Sequence, residues 1–347
     1  MKCLVVGGTG FLGGAVVATL HAAGHQVSIL TRGTTAAELP PEIEQIHADR
    51  FEDISPLKGR AFDWVFDSCA YTPAAVDQLL TTLGENLQRY VLMSSISVYG
   101  DFSIAGLTEA APVPEATEAD HETAARLPKA SRASAAAYGA SYGPLKRACE
   151  QVAEARLGTR ATALRLGLLV GAGDYSDRLT WWVRRVDEAS GARQQIPVPT
   201  PMERPVQMID VRDVARFALL CAETSLGGAW NVTGQPLPLL TVLTEMAHLS
   251  GTTPDFVPIA EEAITAAEVA PWSDIPLMVP TLPAFQHFLN VSARKAEAAG
   301  LTCRPLPETL APLLDWDRSR RPTPLKCGMS PAQEAHLLAS VPAPTNS

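Results

Sequence analysis

Lys2-Cys3-Leu4-Val5-Val6-Gly7-Gly8-Thr9-Gly10-Phe11-Leu12-Gly13 is the stretch on which the reading of the fold turns. Five residues of a short buried strand run into glycines spaced GxxGxxG at Gly7, Gly10 and Gly13. Ala15–Ala23 then shows helical periodicity and stops at Gly24. The first glycine permits a tight strand-to-helix turn. The second lets backbone approach a pyrophosphate, and the third lets helix and strand pack closely. A helix N-terminus facing an anion offers free N–H groups. The alternative is an incidental glycine-rich turn, but the strand before and the helix after are the context that a dinucleotide loop requires.

Gln26–Leu30, Glu44–His47, Phe62–Asp67, Arg89–Ser95 and Thr162–Leu168 read as further strands. Helical patterns fall between them, the clearest being Ser141–Leu157, ended by Gly158. Such alternation predicts a Rossmann-type α/β fold, a doubly wound parallel sheet with helices on both faces. Residues 101–137, rich in Ala, Ser, Glu, Thr and Pro, read as a surface insertion with a short helix near Asp120–Arg126. Beyond Val170 the alternation fades. Asp177–Arg185, Leu239–Leu249 and Pro331–Ala339 look helical, and 197–205 and 271–283 look like proline-rich loops. The expected organisation is a dinucleotide-binding domain over 1–170 with 205–235 returning to it. A smaller C-terminal substrate-binding part covers 171–204 and 236–320, and 321–347 forms a tail.

Composition narrows the functional classes. A net charge of −9 over 347 residues, without a run of five basic residues, disfavours a nucleic-acid footprint. The six cysteines form no CxxC pair, and the seven histidines show no HxH or HExxH spacing. Small buried thiols in a reducing compartment, and no metal, are the expectation. No secretory leader and no membrane-spanning stretch is read, so the expected location is cytoplasmic. The expected partner is a small-molecule substrate, with neither nucleic acid nor membrane; a homodimer is left open.

After the second strand comes Thr31-Arg32-Gly33. An enzyme using NAD usually carries Asp or Glu here for the ribose 2′-hydroxyl, whereas Arg can grip the 2′-phosphate of NADP. Arg32 as a solvated loop residue is the plainer reading. Tyr142 and Lys146 are four apart, and share one face of a helix. A phenol has an unperturbed pKa of about 10. A neighbouring ammonium is expected to lower it, so that Tyr142 exchanges a proton while hydride moves. Pro144 inside the pair is tolerable only near the helix start. Tyr138 is the nearest rival, but has Tyr142 rather than Lys four residues on.

Gly7–Gly13, Ser94-Ser95-Ile96-Ser97-Val98-Tyr99-Gly100 and Tyr142-Gly143-Pro144-Leu145-Lys146 occur in that order. Together they resemble the extended short-chain dehydrogenase/reductases, the NAD-dependent epimerase/dehydratase family. The resemblance continues through Leu164–Gly171 and Met208–Ala215 and covers most of residues 1–235. It implies a catalytic Ser95, Tyr142 and Lys146, with Ser94 and Ser97 as polar fillers at a strand end. It also implies that Lys146 meets the nicotinamide ribose, that Asp49 and Arg50 lie by the adenine, and that Ser68–Tyr71, with Cys69 and Ala70 foremost, lines the cofactor. Asp49 as a solvated turn carboxylate fits equally well. The cofactor residues implied are thus Gly7, Gly10, Phe11, Leu12, Gly13, Arg32, Asp49, Arg50, Cys69, Ala70, Tyr142 and Lys146.

Many sugar-nucleotide members have Asn where Leu168 stands and Arg where Val206 stands. Arg204 is close by. Arg178 and Arg184 could serve an anionic substrate, and Trp181 and Trp182 could line a pocket or pack in the core. These departures favour an NADP(H)-dependent reductase or dehydrogenase of a small carbonyl or alcohol. The alternatives are an NAD-dependent sugar-nucleotide epimerase or dehydratase, and a non-catalytic relative that binds cofactor or RNA. If Arg32 pairs with a 2′-phosphate, the charge-assisted contact is worth about 1.5–3 kcal/mol. Arg32→Ala is then expected to weaken NADPH by roughly 10- to 150-fold and to leave NADH unchanged. Equal loss for both cofactors in paired titrations removes that role from Arg32.

Overall fold

A computed structural model describes residues 1–35, 37–84 and 86–340. Seven strands form one sheet: β1 (Lys2–Val6), β2 (Gln26–Thr31), β3 (Glu44–His47), β4 (Trp64–Asp67), β5 (Arg89–Ser95), β6 (Ala161–Leu166) and β7 (Gly228–Val232). The helices used below are α1 (Phe11–Ala22), α2 (Pro73–Leu83), α3 (Glu118–Arg126), α4 (Tyr142–Leu157), α5 (Arg178–Asp187) and α6 (Val211–Glu223). The sheet order is β7-β6-β5-β4-β1-β2-β3, parallel throughout. The chain winds from β1 outward to β3, then crosses back to β4 and winds the other way. A crevice at the carboxyl ends of the strands follows from that reversal, and in such sheets it is where ligands bind.

The inner strands, covered on both faces, are apolar almost without interruption, whereas edge strand β3 buries only Ile46. Leu4, Val6, Leu30, Val65, Tyr90 and Leu92 pack with Val76, Leu79 and Leu80 of α2 and with Cys149 and Ala153 of α4. α1 and α6 pack together, burying Val16, Val17 and Leu20 with Phe217, Ala218 and Cys221. Each buried Val, Leu or Phe among them contributes about 1.5–3 kcal/mol by leaving water.

Two compact units emerge. The first is Met1–Leu168, Val211–Gly234 and Val291–Thr302, and the second is Leu169–Asp210, Gln235–Asn290 and Cys303–Ser347. The first holds the whole sheet and, with it, 291–302. In the second, parallel strands Gln195–Pro199 and Asp255–Ile259 pair. Pro331–Ala339 is helical as the periodicity predicts, and Arg185 ties it down through Glu334 at 2.6 Å. Residues 341–347 of the expected tail lie outside the described residues.

Several boundaries differ from the sequence reading. β6 stops at Leu166 rather than running to Leu168. Gly167 donates its N–H to Val232 O at 3.0 Å, and a Cβ there would lie 2.5 Å from Thr233 Oγ1. β7, Gly-Ala-Trp-Asn-Val, escaped the sequence reading because Gly and Asn break its apolar run. The insertion does carry a helix, α3, capped by Thr117 and Asp120 in a reciprocal box.

A buried polar network fastens α4 to the sheet. Glu150 is fully buried on α4. Its carboxylate accepts from Ser94 Oγ of β5 at 2.6 Å and from Arg165 of β6 at 2.8 Å (Nη2) and 3.1 Å (Nε). Arg147 adds a bond at 3.1 Å. Arg165 reaches on to the Tyr99 hydroxyl at 3.2 Å, and Tyr99 donates to Asn231 of β7 at 2.6 Å. Removing one partner of a buried ion pair leaves the other charge uncompensated, at about 3–5 kcal/mol. Glu150→Ala is therefore expected to lower stability in urea denaturation by that amount. A loss below about 1 kcal/mol, the range of an exposed pair, would show that the network carries no weight.

Candidate active site

At the loop between β1 and α1 the three glycines do different things. Gly7 has φ +83°, and a Cβ on Gly13 would sit 2.1 Å from Gly7 O. The fold itself requires both. Gly10 is different: a Cβ there would meet only Gly7 O, at an ordinary 3.7 Å. No side chain caps the start of α1, and its first turn holds no acidic residue. Phe11 and Leu12 are half-buried in that turn. Free N–H groups, open space before Gly10 and no negative charge fit an incoming pyrophosphate.

The other expected cofactor residues lie at or past the carboxyl ends of β2, β3 and β4. Thr31 is buried, and its hydroxyl accepts from Gly33 N at 3.2 Å. Arg32 beside it is exposed and makes no ion pair among the described residues. Asp49 is half-buried and accepts from Phe51 N at 2.9 Å, closing a turn. Arg50 points inward: it is 4% exposed and paired with Asp67, which also accepts from Tyr90 at 2.7 Å. Its Nε and Nη2 have no hydrogen-bond partner among the described residues. Ala70 is buried and Cys69 half-buried just past β4.

Ser95, Tyr142 and Lys146 are brought together where β5 meets α4. Ser95 ends β5 and caps the 3-10 turn Ile96–Tyr99, accepting from Ser97 N at 3.1 Å. Its neighbour Ser94 is spent on Glu150, and Ser97 accepts from Ser95 at 3.1 Å. Tyr142 is the first residue of α4, which puts Pro144 in the first turn where it is tolerated. Gly143 decides how close this helix comes, since a Cβ on it would lie 2.1 Å from Ser97 O. Lys146, one turn on, is 2% exposed and donates to Met93 O at 2.7 Å.

The electrostatics correct one expectation. Burial pushes the Tyr142 phenol up to about 12; the hydrogen bond from Ser95 pulls the other way, and the nearby Cys149 thiol adds to the rise. The Lys146 ammonium lies 5.8 Å from the Tyr142 ring centroid and is itself desolvated, below the usual lysine value. Loss of water outweighs the expected help from that charge. In the protein alone, Tyr142 is a neutral phenol, a proton donor.

The remaining candidates separate cleanly. Tyr138, the rival, is buried with its hydroxyl on Arg132 O at 2.8 Å. In the second unit, Trp181 and Trp182 are core residues, Trp182 donating to Pro276 O at 2.7 Å. Arg184 is committed to Asp317 at 2.6 Å, and Arg204 to Glu261 at 2.8 Å. Arg178 makes no ion pair among the described residues and lies over the Trp272 ring at 4.8 Å. Among the described residues, no group of His, Cys, Asp and Glu could hold a metal ion, and no helix is long and apolar enough to cross a membrane. Sequence reasoning missed Glu150 and Arg165, although an arginine inside an otherwise apolar strand signals a buried partner. It also missed why residue 143 must be glycine.

Comparison with known proteins agrees with this architecture. Residues 3–233 match the family described as NAD dependent epimerase/dehydratase. The chain is 34% identical over 114 residues to the chloroplast stem-loop binding protein of 41 kDa b from Arabidopsis thaliana, covering 28% of this chain and 30% of that protein. It is 30% identical over 121 residues to the 2′-dehydrokanamycin reductase of Streptomyces kanamyceticus, 34% of each. The match thus spans about a third of each curated relative. Among solved structures, the UDP-glucuronic acid 4-epimerase from Bacillus cereus in complex with NAD superimposes with a TM-score of 0.64 at 15% identity, over 92% of this chain and 97% of that one. The UDP-Glc/GlcNAc 4-epimerase of Campylobacter jejuni gives 0.64 at 14%, over 92% and 99%. At such identities the likeness is one of fold.

The two kinds of glycine make a paired prediction. Gly13→Ala must displace Gly7 backbone, and is expected to lower the melting temperature by several degrees, as roughly 1–3 kcal/mol of overpacking would. Gly10→Ala is expected to leave melting unchanged but to weaken nucleotide at least tenfold. If Gly10→Ala binds NAD(H) and NADP(H) like the wild type, the space before Gly10 is not a pyrophosphate site.

Proposed function

This chain belongs to the NAD dependent epimerase/dehydratase family, a family of NAD(P)-dependent enzymes, and on that premise we propose that it transfers hydride at a secondary alcohol or ketone of a sugar-like substrate. The observation that carries the reading is the gathering of Ser95, Tyr142 and Lys146 at the end of β5, in the same unit as the open, uncapped loop at Gly10.

The residues divide the work. Gly7, Gly10, Phe11, Leu12 and Gly13 hold the pyrophosphate of a nicotinamide dinucleotide. Thr31 and Arg32 meet the adenosine ribose, Asp49 and the Arg50 backbone meet the adenine side, and Cys69 and Ala70 form the floor. When bound, the dinucleotide supplies or accepts the hydride. Tyr142 gives its proton to the substrate oxygen in reduction and takes one back in oxidation, while Ser95 hydrogen-bonds that oxygen and keeps it beside the phenol. The Lys146 ammonium favours the phenolate at the moment the proton leaves.

Between the two forms this chemistry takes, we favour the epimerase or dehydratase cycle, in which hydride returns to the substrate and the nicotinamide is unchanged over a turnover. The family supports it, as do the sugar-nucleotide epimerases among the structural neighbours. This revises the emphasis on net reduction in the sequence reading. Net reduction remains the second reading, supported by the neutral Tyr142, by exposed Arg32 where NADP enzymes carry a cation, and by the reductase among the relatives. Absorbance at 340 nm with sugar nucleotides and keto-sugars separates them: net reduction consumes one reduced cofactor per product, the closed cycle none.

In either form the phenol is indispensable. Tyr142→Phe is expected to lower turnover by roughly 10²–10⁴-fold, with nucleotide affinity close to wild type. A folded Tyr142→Phe protein with wild-type turnover would remove Tyr142 from the reaction.

A further inference from the structure

Lys146 presents a physical problem. It is 2% exposed, and among the described residues no carboxylate ion-pairs with it. Its hydrogen bond to Met93 O answers one of three N–H donors. The groups that act on it electrostatically are Asp67 at the end of β4, the Cys69 thiol just past it, Cys149 on its own helix, and Arg50 past β3, whose charge opposes its own. Asp67 is already held by Arg50 and the Tyr90 hydroxyl, so most of its charge is answered elsewhere.

What does face the ammonium is an aromatic surface. The Tyr71 ring centroid is 4.8 Å from Lys146 Nζ, nearer than the 5.8 Å of Tyr142. Tyr71 stacks on Tyr138 with centroids 5.4 Å apart and planes at 25°, and meets Tyr142 at 6.3 Å. Tyr138 is fixed in turn by its hydroxyl on Arg132 O and by packing with Ala124 of α3 and Leu145 of α4. A continuous line of contacts thus runs from the 101–137 insertion through Tyr138 and Tyr71 to Lys146, all within the first unit.

We propose that Tyr71 is the positioning residue for Lys146: its ring face, backed by Tyr138 and through it by the insertion, holds the ammonium beside Tyr142 in place of a carboxylate counter-ion. A π face attracts a cation within about 6 Å, most strongly when both are out of water. A carboxylate in the same place would bind the ammonium tightly and draw it from the phenol. An aromatic ring stabilises the charge and leaves its hydrogen bonds free to turn. The same line of contacts gives the insertion a task, setting the position of Tyr71 from outside the sheet. The catalytic consequence rests on the role of Lys146 proposed above; the contact itself does not.

The experiment reads Lys146 directly. Protein labelled with [ε-¹³C]lysine is titrated by NMR, the Lys146 signal being assigned by its absence in Lys146→Met. Losing the π face disfavours the ammonium, so the midpoint falls. Tyr71→Leu is expected to lower it by about one pH unit, whereas Tyr71→Phe, which keeps the ring, leaves it within a few tenths. Tyr71→Met fills the space without a π face, and takes the place of Tyr71→Leu if that variant does not fold; its midpoint is expected to fall equally. An unchanged midpoint in folded Tyr71→Leu or Tyr71→Met overturns the proposal, as does a fall in Tyr71→Phe as large as in Tyr71→Leu. Turnover then separates the two claims. If it needs the Lys146 ammonium, its alkaline limb moves to lower pH with the NMR midpoint. A midpoint that moves without the limb upholds Tyr71 as the support of the ammonium and contradicts the catalytic role of Lys146.

Discussion

The Glu150 carboxylate is the point on which the arrangement of the first unit depends. It sits on α4, out of water, and gathers Ser94 of β5 and Arg165 of β6 around its two oxygens. Taking a carboxylate and a guanidinium out of water costs several kcal/mol each, so the pair is worth little to net stability against an apolar replacement. What it does is fix a geometry. An apolar side chain could slide along the sheet; a carboxylate with three buried donors cannot. With α4 pinned one turn beyond Lys146, Tyr142 and Lys146 have little freedom relative to Ser95, one residue beyond Ser94. Gly143 completes the constraint by letting the first turn of α4 touch the Ser97 carbonyl.

Much of this was legible in the amino-acid sequence. Strands β1 and β5 begin and end where the sequence places them, because buried parallel strands need apolar runs and glycine or polar residues interrupt them. The Tyr142–Lys146 pair was legible as one face of a helix, and its gathering with Ser95 was what the family resemblance implied. Other features were not legible, for reasons that are physical. β7 is held by pairing along β6, which overrides its weak local pattern. The shift of Tyr142 depends on how deeply the phenol is buried, a property of tertiary packing that spacing does not carry. Arg50, past β3, and Asp67, the last residue of β4, are seventeen residues apart and meet only because a parallel sheet brings the carboxyl ends of both strands to the same side.

The site is built for restraint rather than for charge. A neutral phenol, a desolvated ammonium held against aromatic rings and an uncapped helix start bring little negative charge to the site. An anion at α1 would answer the free N–H groups. A cationic nicotinamide near Tyr142 would counter the burial that holds the phenol at about 12. On this account the dinucleotide is more than a hydride carrier, for its charges complete the electrostatics that the protein leaves open.

That account is tested most directly by asking what nucleotide the folded protein holds. The purified chain is denatured and its released small molecules are separated; the refolded or nucleotide-stripped protein is then titrated with NAD⁺, NADH, NADP⁺ and NADPH by calorimetry. Saturable binding of a nicotinamide dinucleotide at one site per chain is expected. The Tyr142 phenolate, followed at 295 nm against Tyr142→Phe, is expected to form at lower pH with the oxidised cofactor bound. Absence of binding by all four nucleotides would contradict the account, as would a phenol that titrates identically with and without the oxidised cofactor.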